Sequence, residues 1–167
     1  MQSADSRLVK VRAIAFDFDG VFTDDRVVVS ETGEESVICS RSDGMGIEHL
    51  RIAGIRMTII SKETNPVVLA RARKLSLDAV VGCNDKLPEF VAWMHRIGCS
   101  PQETAYMGND VSDLECLTAA GLAIAPADAH PGVLKIAGLT TVHPGGRGAI
   151  REVADRLLAA LQHERER

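Results

Sequence analysis

The chain has 167 residues, a length that fits one domain of ordinary size. With 46% hydrophobic and 25% charged residues, the composition is that of a globular protein with an adequate core. A formal net charge of −4 and a pI near 5.7 argue against a general nucleic-acid binder, and no apolar run is long enough for a membrane helix. The polar start, residues 1–10, lacks the apolar stretch of a signal peptide. Cys39, Cys83, Cys99 and Cys116 lie far apart without a C-x-x-C pair, so reduced thiols and a cytoplasmic location are expected.

Short apolar runs alternate with amphipathic segments. Residues 11–17 read as a buried strand ending in an acidic turn. Residues 27–39 read as a hairpin turning at Glu31-Thr32-Gly33-Glu34. Residues 43–53 form the first expected helix, with Gly54 as its stop, and residues 55–60 a second core strand. A helix over 65–75 has Asn65 as N-cap and Pro66 at its first position. A short strand at 78–81 precedes a helix over 86–97 closed by Gly98. A strand at 104–107 leads to a helix over 111–120. Short strands follow at 122–125 and 139–142. A closing helix spans 147–161, and the final residues, 163–167, are expected to fray.

Such alternation predicts an α/β fold with a Rossmann-like parallel sheet, helices on both faces and ligands beyond the carboxyl ends of the strands. Chemistry-bearing residues do follow the apolar runs. After the first come Asp17-Phe18-Asp19-Gly20-Val21-Phe22-Thr23-Asp24. Two carboxylates so close are costly without a cation between them, and a hard divalent ion such as Mg²⁺ suits oxygen donors. The alternative is an ordinary acidic turn. After the second run comes Ser61, whose hydroxyl could meet a phosphate oxygen or simply form a turn. After the third comes Lys86, a cation at a helix start, where the helix dipole disfavours it and an anion or carboxylate is expected to hold it. After the fourth come Gly108-Asn109-Asp110-Val111-Ser112-Asp113, able either to bind metal or to cap the next helix.

Together these segments resemble the haloacid dehalogenase (HAD) superfamily of phosphatases, whose first motif, DxDGxxTD, is matched at every fixed position by residues 17–24. The resemblance spans roughly residues 11–161 and implies a single HAD domain, residues 1–167. It implies Asp17 as nucleophile, Asp19 as general acid and then base, Ser61 and Lys86 on the transferring phosphoryl group, and Mg²⁺ held by Asp17, by Asp19 through its backbone carbonyl, and by Asn109 and Asp110, with Asp113 behind them. The usual fourth motif is GDxxxD. Asn109 stands where a metal carboxylate is usual, which predicts weaker Mg²⁺ binding. The gaps between motifs leave no room for a large cap, only the hairpin as a small flap.

A capless chain of this size resembles the 3-deoxy-D-manno-octulosonate (KDO) 8-phosphate phosphatases and their nonulosonate relatives. Ser42-Asp43-Gly44-Met45-Gly46-Ile47, Pro126-Ala127-Asp128-Ala129-His130-Pro131 and Gly145-Gly146-Arg147-Gly148-Ala149-Ile150-Arg151-Glu152 carry that resemblance. It implies a phosphorylated sugar acid as substrate and a homotetramer whose neighbours help cover each site. It makes Gly20, Asp43, Glu63 and Arg147 candidates for substrate contacts. Glu63 departs from the arginine usual in KDO enzymes, and an acid there suits hydroxyls better than a carboxylate. The segment from Gly108 to Leu117 also resembles the HAD-like domain of N-acylneuraminate cytidylyltransferases, which keeps a weakly active assembly module as the alternative. A receiver domain fits poorly, because no acceptor aspartate ends the third strand. His130 is as easily structural as substrate-touching, and Phe90 and Trp93 are expected in a core or a subunit interface.

Overall fold

The structure is a computed structural model that describes residues 4–166; the expectations for residues 1–3 and 167 lie outside the described residues. Its centre is a six-stranded parallel sheet ordered β5-β4-β1-β6-β7-β8. The strands are β1 (Ala13–Phe16), β4 (Arg56–Ile60), β5 (Asp78–Val80), β6 (Thr104–Met107), β7 (Leu122–Ala125) and β8 (Leu139–Thr140). β1 and β6, paired from Ala13↔Thr104 to Phe16↔Met107, are buried throughout. Burial on both faces explains why they read as continuous apolar runs rather than alternating ones.

Side chains still alternate across the sheet. Ile14, Phe16 and Met107 enter one core with α2 (Arg41–Ile52) and α7 (Ala149–Arg165). Ala13, Ala15 and Tyr106 enter the other, beneath α4 (Lys86–Ile97) and α5 (Leu114–Ala119). Small alanines on that second face leave room for Phe90, Trp93 and Tyr106; Phe90 stacks on Trp93 and meets Tyr106 edge-on at 5.1 Å. Phe90 and Trp93 are thus core residues.

The expected hairpin is present as a two-stranded antiparallel ribbon, β2 (Val28–Val29) and β3 (Glu35–Ser36), much shorter than 27–39. It is exposed, and among the described residues no large cap accompanies it. α2 starts two residues earlier than expected because Ser40 Oγ accepts from Asp43 N at 3.2 Å and caps it. α3 (Val67–Leu75) starts just after Pro66, and Asn65 Oδ1 still accepts from Val67 N at 3.0 Å. Gly98, at φ +66°, ends α4 as expected.

Other elements correct the reading. The single helix expected over 111–120 opens with a 3₁₀ turn, Val111–Asp113, because the Asp113 carboxylate folds back onto the amides of Asn109 and Asp110. α1 (Ala4–Leu8) and α6 (Pro131–Ile136) were not expected. α6 is capped by His130, whose Nδ1 accepts from Gly132 N, so that exposed histidine is structural. α7 begins after Gly148, at φ +108°, and runs on to Arg165, through residues expected to fray. All four cysteines are free, and no described helix is long and apolar enough to cross a membrane.

Candidate active site

Parallel pairing delivers the ends of β1, β4 and β6, and the start of α4 beyond β5, to one edge of the sheet. A cleft of about 280 Å³ opens there, lined by Asp17, Asp19, Asp25, Ser61, Lys62, Glu63, Thr64, Lys86, Asn109, Asp110 and Ser112. Eight of the candidate residues therefore converge or lie directly behind it: seven line the wall, and Asp113 sits beneath.

Asp17 is the residue after β1. Its Oδ1 accepts from Phe18 N at 2.7 Å and faces Lys86 Nζ at 2.8 Å. Burial, reinforced by repulsion from Asp113, pushes its carboxyl up to about 7, even though Lys86 pulls the other way. Lys86 is almost fully buried at the first turn of α4, where the dipole disfavours it. Two carboxylates compensate: Nζ lies 2.8 Å from Asp17 and 2.8 Å from Asp113. Burial pulls the ammonium down, but these two carboxylates outweigh it and hold Lys86 above its usual range.

Asp113 has no exposed surface. Its Oδ1 accepts from Lys86 and from Tyr106 Oη at 3.0 Å, and its Oδ2 accepts from Asn109 N at 3.1 Å and Asp110 N at 3.3 Å. It fixes the loop after β6 and cannot itself face a ligand. Ser61 Oγ accepts from Glu63 N at 3.1 Å, which leaves its hydroxyl proton free to donate into the cleft. Glu63 Oε1 accepts from Thr64 N and Asn65 N at 2.7 and 2.8 Å, pinning that carboxylate to the wall. Asp19, half-buried, is raised by burial, by Glu63 and by Asp25, and its Oδ1 accepts from Thr23 Oγ1 at 3.4 Å.

Gly20, at φ +73°, lies so close to the Asn109 amide that a Cβ would collide with it. Gly20 therefore shapes the wall by lacking a side chain. Asn109 Oδ1 is buried without a hydrogen-bond partner, an uncommon state that a bound cation would relieve. Asp110 is exposed at the cleft and caps the 3₁₀ turn through Val111 N at 2.7 Å. Among the described residues no group of three or more His, Cys, Asp or Glu is placed to hold a metal. Yet the Asp17 carboxylate and the partnerless Asn109 oxygen are hard oxygen donors, and Mg²⁺ commonly takes one or two protein carboxylates, keeping its other positions for water and phosphate. The residues fit that ion, with one charge fewer than a carboxylate at 109 would give.

Two candidates do not reach the cleft. Asp43 is buried behind it, its carboxylate accepting from Gly148 N at 3.1 Å and Arg151 N at 2.9 Å. With its oxygens committed to the start of α7, it has none to offer a substrate in the same chain. Arg147 is exposed on another surface, 3.0 Å from Asp24. The sequence reading also missed Asp25, Lys62, Thr64 and Ser112 on the cleft wall. Asp25, at φ +64°, directly follows the acidic motif, and the other three neighbour residues already singled out, so proximity was the available signal.

An α/β sheet with a carboxylate, a hydroxyl, a buried lysine and an amide-carboxylate loop at successive strand ends defines a phosphoryl-transfer hydrolase site. A family model described as haloacid dehalogenase-like hydrolase matches residues 48–150. The KDO 8-phosphate phosphatase of Yersinia pestis is 35% identical over 155 residues, covering 92% of this chain and 83% of that protein. The crystal structure of the Y. pestis phosphatase superimposes with a TM-score of 0.93 at 34% identity, covering 95% of this chain and 86% of that one. That of the Moraxella catarrhalis phosphatase, in complex with magnesium, phosphate and KDO, gives a TM-score of 0.92 at 27% identity, covering 98% and 94%. The chain belongs to the haloacid dehalogenase-like hydrolase family, in its KDO 8-phosphate phosphatase-like branch, and is a phosphoric monoester hydrolase.

Proposed function

We propose that the protein hydrolyses the phosphate monoester of a 2-keto-3-deoxy sugar acid, KDO 8-phosphate or a nonulosonate 9-phosphate, through a phosphoaspartyl intermediate on Asp17. The observation that carries this reading is the Asp17–Lys86 pair at the cleft floor, where a buried cation steadies a carboxylate that stays open to the cleft. Similarity to phosphatases over nine-tenths of the chain favours an enzyme over an assembly module.

In this reading, Asp17 attacks phosphorus and the bond from phosphorus to the sugar oxygen breaks. Asp19 gives that oxygen a proton, then takes one from the water that cleaves the aspartyl phosphate. Its raised carboxyl suits it to hold a proton before the first step. Ser61 donates its hydroxyl proton to a phosphoryl oxygen, and Lys86 neutralises charge there. Asp17, Asn109 and Asp110, with the backbone carbonyl rather than the side chain of Asp19, would hold Mg²⁺, with Asp113 ordering the loop beneath. When bound, the ion supplies positive charge that offsets that of the phosphate. Gly20 keeps the approach open and Glu63 faces the hydroxyls of the leaving sugar.

A homotetramer belongs to the same reading. Val28 and Val29 on the ribbon, with Ile38 just after it, are 64%, 59% and 68% exposed, which suits a flap covered by neighbouring subunits. The test is phosphate release from KDO 8-phosphate and nonulosonate 9-phosphates, with Mg²⁺ and with EDTA. Turnover of at least one, lost in EDTA, is expected; no turnover of any sugar acid phosphate would end the reading.

A further inference from the structure

Three segments singled out in the sequence lie outside the cleft: the one carrying Asp43, the one carrying Asp128, and the glycine-rich run from Gly145 to Gly148. The structure brings all three to the back of residues 20–24. Asp43 accepts from Gly148 N and Arg151 N, fixing the start of α7 against α2. Asp128 Oδ1 accepts from Gly145 N at 2.9 Å. The loop between them presses on the motif that follows β1. Gly146 N donates to Val21 O at 2.9 Å, and Arg147 Nη2 donates to Asp24 Oδ2 at 3.0 Å. A Cβ on Gly145 would collide with Gly20 O, and one on Gly146 with the Thr23 backbone. The glycines are therefore there for contact with this loop, not for a phosphate. Thr23, at the centre of the braced segment, donates to Asp19 Oδ1 and accepts from Gly20 N at 3.2 Å.

We propose that Asp43, Asp128 and Arg147 are positioning residues: through the glycine-rich loop they brace residues 20–24 and so set the Asp19 carboxyl relative to Asp17. The inference rests on the reading of Asp19 as the acid that protonates the leaving oxygen. A displaced acid has a signature that general loss of structure lacks. It slows esters whose alcohol leaves poorly, while an aryl phosphate departs without protonation.

The test compares a sugar acid phosphate (KDO 8-phosphate or a nonulosonate 9-phosphate, whichever wild type hydrolyses) with 4-nitrophenyl phosphate. Asp128 is exposed, so Asp128→Ala should fold. It should lose about 10-fold or more in kcat/KM on the sugar ester, with less than about 3-fold change on the aryl ester, because kcat/KM reports the step that expels the alcohol and not the later hydrolysis of the aspartyl phosphate, which both substrates share. Asp128→Asn keeps an accepting oxygen without the charge and should stay near wild type. Arg147→Ala should show the same split, more mildly, and serves if Asp128→Ala fails to fold. Asp19→Asn is the reference and should show the split most strongly. If Asp19→Asn splits the substrates but neither brace variant does, or if the brace variants lose both substrates in parallel, the brace is overturned and the reading of Asp19 survives. If Asp19→Asn shows no split, or wild type hydrolyses neither sugar ester, the underlying reading falls and the inference with it.

Discussion

Lys86 Nζ lies 2.8 Å from Asp113 Oδ1, two residues 27 positions apart and both buried, and this contact couples the floor of the cleft to the loop after β6. Asp113 accepts from Lys86, Tyr106 and two backbone amides. Asp113→Ala would leave all four donors short of an acceptor. It should cost about 3–5 kcal/mol, the range for breaking a buried ion pair. Urea unfolding checks this; a loss under about 1 kcal/mol, as for a surface site, would contradict it.

Asp17 gives a pH dependence. Its carboxyl is raised from 3.8 to about 7 in the folded, metal-free protein. Between about pH 4 and pH 7 the folded state holds a proton that the unfolded state has lost, so Asp17's contribution to stability declines as pH rises through that window. A cation bound there must displace the same proton. Calorimetric Mg²⁺ titration in buffers of different ionisation heat should find about one proton released near pH 6 and almost none near pH 8.5. Release independent of pH would contradict the assignment.

The position of Asn109 gives a third prediction. Its partnerless Oδ1 would become a carboxylate oxygen in Asn109→Asp. Mg²⁺ affinity, read by the same calorimetry, should rise about 10-fold or more, because a hard cation gains from an ionised donor. Catalytic rate at limiting Mg²⁺ should rise with it. Unchanged affinity would remove position 109 from the metal site.

Much of this site was legible because parallel α/β sheets place ligands beyond strand ends, so a residue's place relative to an apolar run already says where it points. Lys86 was informative for the same reason: a cation at a helix start needs an anion, and the structure supplies Asp17 and Asp113. Asp43 was not legible. Its partners, Gly148 and Arg151, lie 105 and 108 residues away, and no local pattern distinguishes a carboxylate turned to a helix start from one turned to substrate. The start of α5 was misread because Asp113 bends its own loop, a tertiary effect that periodicity does not carry. α6 is too short, at six residues, to show a helical repeat.

Gly145 separates steric fit from backbone freedom. Gly145→Ala should destabilise the fold by roughly 1–3 kcal/mol, since its Cβ would drive into Gly20 O. Gly33→Ala, on the exposed ribbon at φ +84° with nothing near its Cβ, should cost only about 1 kcal/mol of backbone strain. Thermal unfolding of the two variants checks the order; the reverse order would show that the loop yields easily.

The central claim is that phosphate passes through Asp17. The direct measurement is mass spectrometry of enzyme acid-quenched during turnover of a sugar acid phosphate in Mg²⁺. Wild type should carry one phosphoryl group on the peptide containing Asp17, and Asp17→Asn should show neither adduct nor turnover. Turnover retained in Asp17→Asn, or a phosphoryl group found on another residue, would contradict the account.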